Sequence, residues 1–475
     1  MTDQAKLIEH LLADEPAFRS SLDFGSHVVQ GEGPGSTLFI GDLSQINLMG
    51  DAAGPSLDHR MAHLAAPGDI LLVRHRDPEF ETYLKDYRQL DNLTVLAANS
   101  ADDRPVAKQA RKRKKLRQIF VDTTQARGGL TIKSYLTTGT IWRLAQTIGA
   151  EAECKVHVSG PAPRISKRVN DKLWFARVAR DVIGANAVPP TMSAYGPAAA
   201  AAIVLHLYRS GQQVIVKVPD SAGSAGNIRL DHAMLARQTP ESLQSFLLDQ
   251  LHATGWSDTY PVLVGVWDTG VLCSPSVQLW IPAPDAGPPQ VEGVFEQTVF
   301  GAGAAFVGAS RSTLSPSLQE SLADQAVRIA EVFQGLGYYG KCSFDAVICK
   351  DGNGPDTIHW IECNGRWSGV SIPLQVLRNI RPNDNLGGMV VVQKMLQERA
   401  SVTAAVIETL GPLLYRQKAG KVPTQGVILL SPPAGNNGSV ANLLVFAPTQ
   451  AAAEKLSQDA LARLSATTAP GPSFA

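Results

Sequence analysis

The residues whose types and spacing could do chemistry lie late in the chain, between Gly340 and Pro373. Ser343 to Cys349 reads as an apolar strand interrupted by Asp345. Thr357 to Cys363 reads as a second strand, carrying Glu362 and followed by Asn364, Gly365 and Arg366. Asp351-Gly-Asn-Gly-Pro-Asp between them is dense in turn formers, so the pair predicts a hairpin. Side chains alternate along a strand, which puts Glu362 and Asn364 on one face and Cys363 on the other. Asp345 on the partner strand can reach the same face. Either carboxylate alone is an ordinary strand-end residue. Together with the Asn364 amide oxygen they form a hard-oxygen set suited to Mg²⁺, which takes one or two carboxylates and leaves its other positions to phosphates and water. Arg366 adds a planar cationic fork able to hold a phosphoryl oxygen.

An anion for that site would need a second wall. Gln213 to Pro219 predicts a strand with Lys217 embedded in it. A buried ammonium is costly without an anionic partner, so either a structural salt bridge or a nucleotide phosphate must answer it. The segment that follows, Asp220-Ser-Ala-Gly-Ser-Ala-Gly-Asn, favours phosphate. Its glycines Gly223 and Gly226, with Ser224 and Asn227, permit a loop whose backbone N–H groups turn toward an anion. It is not a Walker loop, because no Gly-Lys-Ser/Thr closes it onto a helix. Near the N-terminus Gly31-Glu-Gly-Pro-Gly precedes its strand, Thr37 to Ile40, so the dinucleotide fingerprint is excluded by order.

The elements that must position these groups fall into a simple sequence. A chain of 475 residues, 44% hydrophobic and 18% charged, predicts a soluble globular protein of two to four domains. Lys+Arg 43 balances Asp+Glu 43, so no global attraction to nucleic acid or membrane follows. Five scattered cysteines without a CxxC pair point to reduced thiols in a cytoplasm. The polar N-terminus does not read as a signal peptide, and no apolar run reaches the ~20 residues that span a bilayer. A first helix, then short strands at 37–40, 70–73 and 93–96 alternating with helices, predict a small βαβ domain with a parallel sheet. Gly41 and Asp42, at a strand C-terminus, are substrate-site candidates there. His59 and His63, four apart, lack a third ligand and read as surface or core histidines. The basic run from Lys108 to Arg117 reads as one solvated helix; no aromatics are interleaved as a nucleic-acid surface would need. After a Gly-Pro-Ala-Pro linker come helices, the Lys217 strand, a strand at 261–268, further antiparallel strands ending near Arg311, and a helix at 315–336.

Laid end to end, residues 160 to 400 resemble the ATP-grasp superfamily. The residues that carry the resemblance are Lys172 in Asn-Asp-Lys, Lys217 in Val-Ile-Val-Lys-Val-Pro, the glycine loop, the hinge strand Pro-Val-Leu-Val-Gly-Val-Trp-Asp, and the set Asp345, Glu362, Asn364 with Arg366. The resemblance implies an α/β and α+β architecture: a Rossmann-like pre-ATP-grasp domain at 1–158 and a two-lobed ATP-grasp domain at 159–400. The lobes would divide near 265/266, and a small C-terminal α+β domain would fill 401–475. It implies ATP as cosubstrate and two Mg²⁺ ions, with Mn²⁺ as a substitute. Lys172, Lys217, Gly223, Ser224, Gly226 and Asn227 would hold phosphates. Val264, Gly265, Val266, Trp267 and Asp268 would hold adenine and ribose. Two departures stand out: the hinge has Gly265 where Glu is common, and Ser343 stands where a basic residue often precedes the first metal carboxylate. Lys341, Arg366 or Arg311 could then supply the γ-phosphate contact. The implied activity is a carboxylate–amine ligase working through an acyl phosphate on a small-molecule acid and an amine or peptide. Nucleic acid and membrane are not expected as partners; a homodimer is possible. The C-terminal segment further resembles the pheganomycin-type peptide ligases, implying peptide bond formation in antibiotic biosynthesis. A carrier-protein thiol or single amino acid as acceptor, and an ATP-binding regulatory module without chemistry, are the alternatives.

Overall fold

A computed structural model describes residues 3–19, 22–46, 48–49, 55–99, 104–222, 224–301, 305–350, 356–382, 386–396, 403–418, 424–433 and 439–466. The strands are β1 (Val28–Gln30), β2 (Ser36–Ile40), β3 (Leu48–Met49), β4 (Ile70–Val73), β5 (Thr94–Ala97), β6 (Leu130–Ser134) and β7 (Val156–Val158) in the first part of the chain. All but β3 form a parallel sheet in the order β1-β7-β6-β2-β4-β5. Its strands are apolar on both faces, as a parallel sheet covered by helices requires. The expected βαβ rhythm is therefore present.

The basic run differs from its expectation. It is split into helices Val106–Lys112 and Lys114–Arg127 by Arg113, whose ψ of 105° is extended. Ala107 and Ala110 are buried while the charged residues face outward, and Arg117 pairs with Glu151 at 2.8 Å. Asp42 is used structurally: its carboxylate accepts from Arg74 at 3.0 Å and from the Val106 N–H at 2.7 Å. His59 and His63 are both buried, packed on Phe80.

The second sheet, β8 (Thr191–Ala194), β9 (Val214–Lys217), β11 (Asn227–Leu230) and β12 (Val262–Val266), runs in the order β11-β9-β12-β8 and is antiparallel. Between β9 and β11, β10 (Ser221–Ala222) pairs with β3 of the first domain, so the N-terminal part touches the loop beyond Lys217. The third sheet holds β13 (Val271–Cys273), β14 (Pro275–Ile281), β15 (Gln290–Phe300), β16 (Ala305–Arg311), β17 (Gly340–Cys349), β18 (Thr357–Asn364), β19 (Gly388–Leu396), β20 (Gly426–Leu429) and β21 (Ser439–Ala447). Because β14 and β18 both pair with residues 343–345 of β17, they flank it on opposite edges. β19 pairs with β21, so strands from the C-terminal segment continue this sheet. One face of β17 and β18, with Phe344, Ala346, Ile348, Trp360 and Cys363, packs into a core with the helix Pro316–Gly335 and the helix Lys172–Ile183. That leaves the other face to the site.

Candidate functional site

The expected hairpin forms, and its register places Asp345 directly opposite Glu362 and Ser343 opposite Asn364. A bulge after that pair then shifts the phase of β18, so that Ala346 faces Trp360 and Val347 faces His359. Two residues on one strand opposing one on the other re-aims the side chains beyond. Trp360 thereby enters the core, fully buried, and His359 joins Glu362 and Asn364 on the open face.

Asp345 accepts a 2.6 Å hydrogen bond from Ser276 Oγ and one of 2.9 Å from Asn364 Nδ2. Burial, and then the charge of Glu362, push its carboxyl up to about 6. Burial also works to raise Glu362, but the charges of Lys172, Arg366 and Lys217 outweigh it and hold that carboxyl below its ordinary value. Lys172 opens its helix behind the N-cap Asp171, whose side chain accepts from the Leu173 and Trp174 N–H groups. The ammonium of Lys172 lies 3.2 Å from Glu362 and donates to the Ser221 carbonyl at 2.8 Å and to its Oγ at 3.1 Å. One lysine thus joins the acidic hairpin to the loop after β9.

Lys217 ends β9, between Asn227 on one side and Leu263 on the other. Burial, helped by the charge of Lys172, pulls its ammonium down to about 8, while Glu362 and Asp268 act the other way. So Lys172, Lys217, Asp345, Glu362, Asn364 and Arg366 converge. Ser224 takes a left-handed conformation (φ 63°) and accepts from the Asn227 N–H, and Gly226 passes so close to Val218 that a Cβ would lie 2.7 Å from it. Gly223 lies outside the described residues.

Other expected residues sit elsewhere or are already engaged. In the hinge segment Val264 and Gly265 are paired on both sides, the Val266 N–H goes to the Pro190 carbonyl and the Trp267 N–H to that of Gln213. The sheet therefore uses the backbone donors of Val266 and Trp267 that a base would need. Arg311 is exposed, three strands from β17, or ~14 Å at the usual strand spacing, and donates to the Gly387 carbonyl. Lys341 points into a neighbouring pocket, 2.5 Å from Glu292 and over the rings of Trp280 and Trp367. Of the three candidates for the γ-phosphate contact, Arg366 alone is with the carboxylates.

Asn170 was not singled out from the sequence, although it adjoins Asp171 and Lys172. Its Oδ1 accepts from Arg366 Nη1 at 2.7 Å and from the Gly365 N–H at 3.0 Å, and its Nδ2 donates to Ser166. Gly365 has no room for a side chain there, since a Cβ would lie 2.3 Å from Val169 Cγ2. The guanidinium of Arg366 is thus fixed from behind, with its buried Nε unpaired among the described contacts.

Residues 58–150 match the family model for the Pre ATP-grasp domain. The biotin carboxylase–β,γ-ATP complex from Campylobacter jejuni is similar over 91% of this chain and 91% of its own, with a TM-score of 0.56 at 13% identity. N5-carboxyaminoimidazole synthase from Aspergillus clavatus, with ADP and 5-aminoimidazole ribonucleotide, is similar over 91% and 99%, with a TM-score of 0.53 at 12% identity. The biotin carboxylase domain of a Hydrogenobacter thermophilus 2-oxoglutarate carboxylase, with MgADP, ADP and bicarbonate, is similar over 91% and 90%, with a TM-score of 0.53 at 14% identity. The chain has the ATP-grasp fold. No curated protein matches it in sequence.

The donor set gathered here fits a magnesium nucleotide. Two opposed carboxylates, one raised by burial and then by the other's charge, gain from a hard divalent cation between them. Asn364 gives Nδ2 to Asp345, which leaves its oxygen for the same cation. Lys172, Lys217 and Arg366 supply the positive wall that a polyphosphate would need.

Proposed function

We propose that the protein is an ATP-dependent ligase that joins a carboxylate to an amine through an acyl phosphate. The observation that carries this reading is the convergence of Lys172 and Lys217 on Glu362, beside an arginine locked by Asn170. Lys172 and Lys217 would hold phosphate oxygens, and the chain around Ser224, Gly226 and Asn227 would cover them. Asp345, Glu362 and Asn364 would hold Mg²⁺, two ions by analogy with the family and Mn²⁺ as a substitute; bound metal neutralises the charge of the transferring phosphoryl group. Arg366 would orient the substrate carboxylate and stabilise charge as its oxygen attacks the γ-phosphorus and ADP leaves. The amine then attacks the acyl carbon, phosphate departs, and the amine proton is lost. Positioning and electrostatics suffice for this, with no enzyme nucleophile.

The finer reading is a peptide ligase in natural-product biosynthesis, cytoplasmic, with a homodimer possible. It is supported by a pocket of about 410 Å³ beside Lys341, where Lys133 and Lys341 face Glu32 and Glu292 next to Trp280 and Trp367. Both signs of charge beside aromatic surface suit a zwitterionic amino acid or peptide end. The test is an ADP-release screen over acids, amino acids, peptides and thiols, with mass detection of the product. A peptide product that disappears in Glu362→Ala and Lys217→Ala is expected. Thioester products would move the reading to a carrier acceptor, and ATP binding without ADP across the screen would sink it.

A further inference from the structure

The open face of the hairpin carries a second cluster, in which Cys349 and His359 have no part in the ligase chemistry and Asp268, expected at the nucleotide, is instead hydrogen-bonded to His359. Asp268, Cys349 and His359 each bring one ligand atom to within 4.8 Å of the others. They come from three places: the segment after β12, the end of β17, and β18. The bulge after Asp345 and Glu362 is what turns His359 to this side; an unbroken alternation would have sent Trp360 here instead. His359 Nδ1 lies 3.0 Å from Asp268 Oδ1, with the two side chains 16% and 13% exposed. Two ligands of a tetrahedral ion at ~2.05 Å each stand roughly 3.3 Å apart, so carboxylate and imidazole are already near that spacing.

From this geometry we infer that Asp268, Cys349 and His359 form a binding site for a borderline divalent ion of the zinc class, distinct from the magnesium site. A thiolate and an imidazole select against Mg²⁺ and for Zn²⁺ or Co²⁺. Three protein ligands leave a fourth position for water. On binding, the Cys349 thiol gives its proton to solvent and the ion replaces the hydrogen bond between His359 and Asp268. His359, opposite Val347, and Cys349 lie two and four residues along the hairpin from Asp345, ~7–14 Å. Asp268 also acts on Lys217. The charge of Lys217 therefore opposes an ion here, so removing that charge tightens the site.

The test uses the full-length protein stripped with chelator and titrated with Co²⁺ alone. One equivalent should produce the visible bands of a four-coordinate ion and a near-ultraviolet thiolate-to-cobalt band, both bleached by Zn²⁺. Cys349→Ser should remove the thiolate band, and His359→Gln should weaken affinity tenfold or more. Lys217→Ala should tighten binding, and Glu362→Gln should leave the thiolate band in place. A cobalt spectrum without a thiolate band, one unchanged in Cys349→Ser, or one lost in Glu362→Gln would overturn the inference. Because the readout needs neither ATP nor turnover, its failure leaves the ligase reading standing, and failure of the ligase screen leaves this site standing.

Discussion

Replacing Asp345 with Asn should make the metal-free protein more stable at neutral and higher pH while destroying its response to MgATP. Burial and the neighbouring Glu362 charge raise the Asp345 carboxyl from 3.8 to about 6. An acid raised on folding contributes stability that is fully present below its unfolded value, 3.8, and lost as the pH rises through about 6. Above that range the ionised carboxylate is a net cost to the folded state. A gap of about two pH units corresponds to ~3 kcal/mol. Asp345 shares its titration with Glu362, so ~1–2 kcal/mol is the expected size. Asn keeps the shape, and Ser276 Oγ and the Asn364 amide can turn to serve it. Urea unfolding in chelator at about pH 8 should therefore show Asp345→Asn above wild type, with the difference closing near pH 4. MgATP at a hundred times its Kd should add ~2.7 kcal/mol to wild type and much less to the variant. A variant no more stable than wild type at about pH 8 would refute the idea that two crowded carboxylates await a cation.

Further outcomes follow from the same geometry. Lys217, pulled down to about 8, is charged below that pH and neutral above it. The affinity for MgATP should weaken as the pH passes through this value, and Lys217→Arg should flatten that dependence in a binding titration. Asn170→Ala should cut kcat by ~10–100-fold, the worth of one to two charged hydrogen bonds, while leaving the Kd for ATP nearly unchanged; an equal loss in both would remove its role in holding Arg366. Arg311→Ala should leave turnover within about threefold of wild type, because a surface arginine three strands away contributes ≲1 kcal/mol; a large loss would put it back in the site.

Strand alternation and residue type made much of the site legible. The pattern around Asp345 and Glu362 defines a hairpin with oxygen ligands on one face, and the embedded Lys217 demands an anion; both are local, because they depend on periodicity and on the cost of burying charge. The split of the basic run at Arg113 was not legible, since nothing in Lys-Arg-Lys-Lys marks where Ala107 and Ala110 must turn inward. Nor was the engagement of the hinge N–H groups by Pro190 and Gln213, which depends on strands far away in sequence.

The sequence by itself determined which groups are candidates for a magnesium nucleotide, because oxygen ligands on one strand face and a lysine embedded in a strand follow from residue type and alternation. Tertiary structure alone decided which of them meet. It put Arg366 rather than Arg311 or Lys341 beside the carboxylates, recruited Asn170 across 196 positions of chain, and turned His359 toward Asp268 through one bulge. Contacts between distant strands, and a one-residue change of phase, leave no trace in local periodicity, so only the folded chain fixes them.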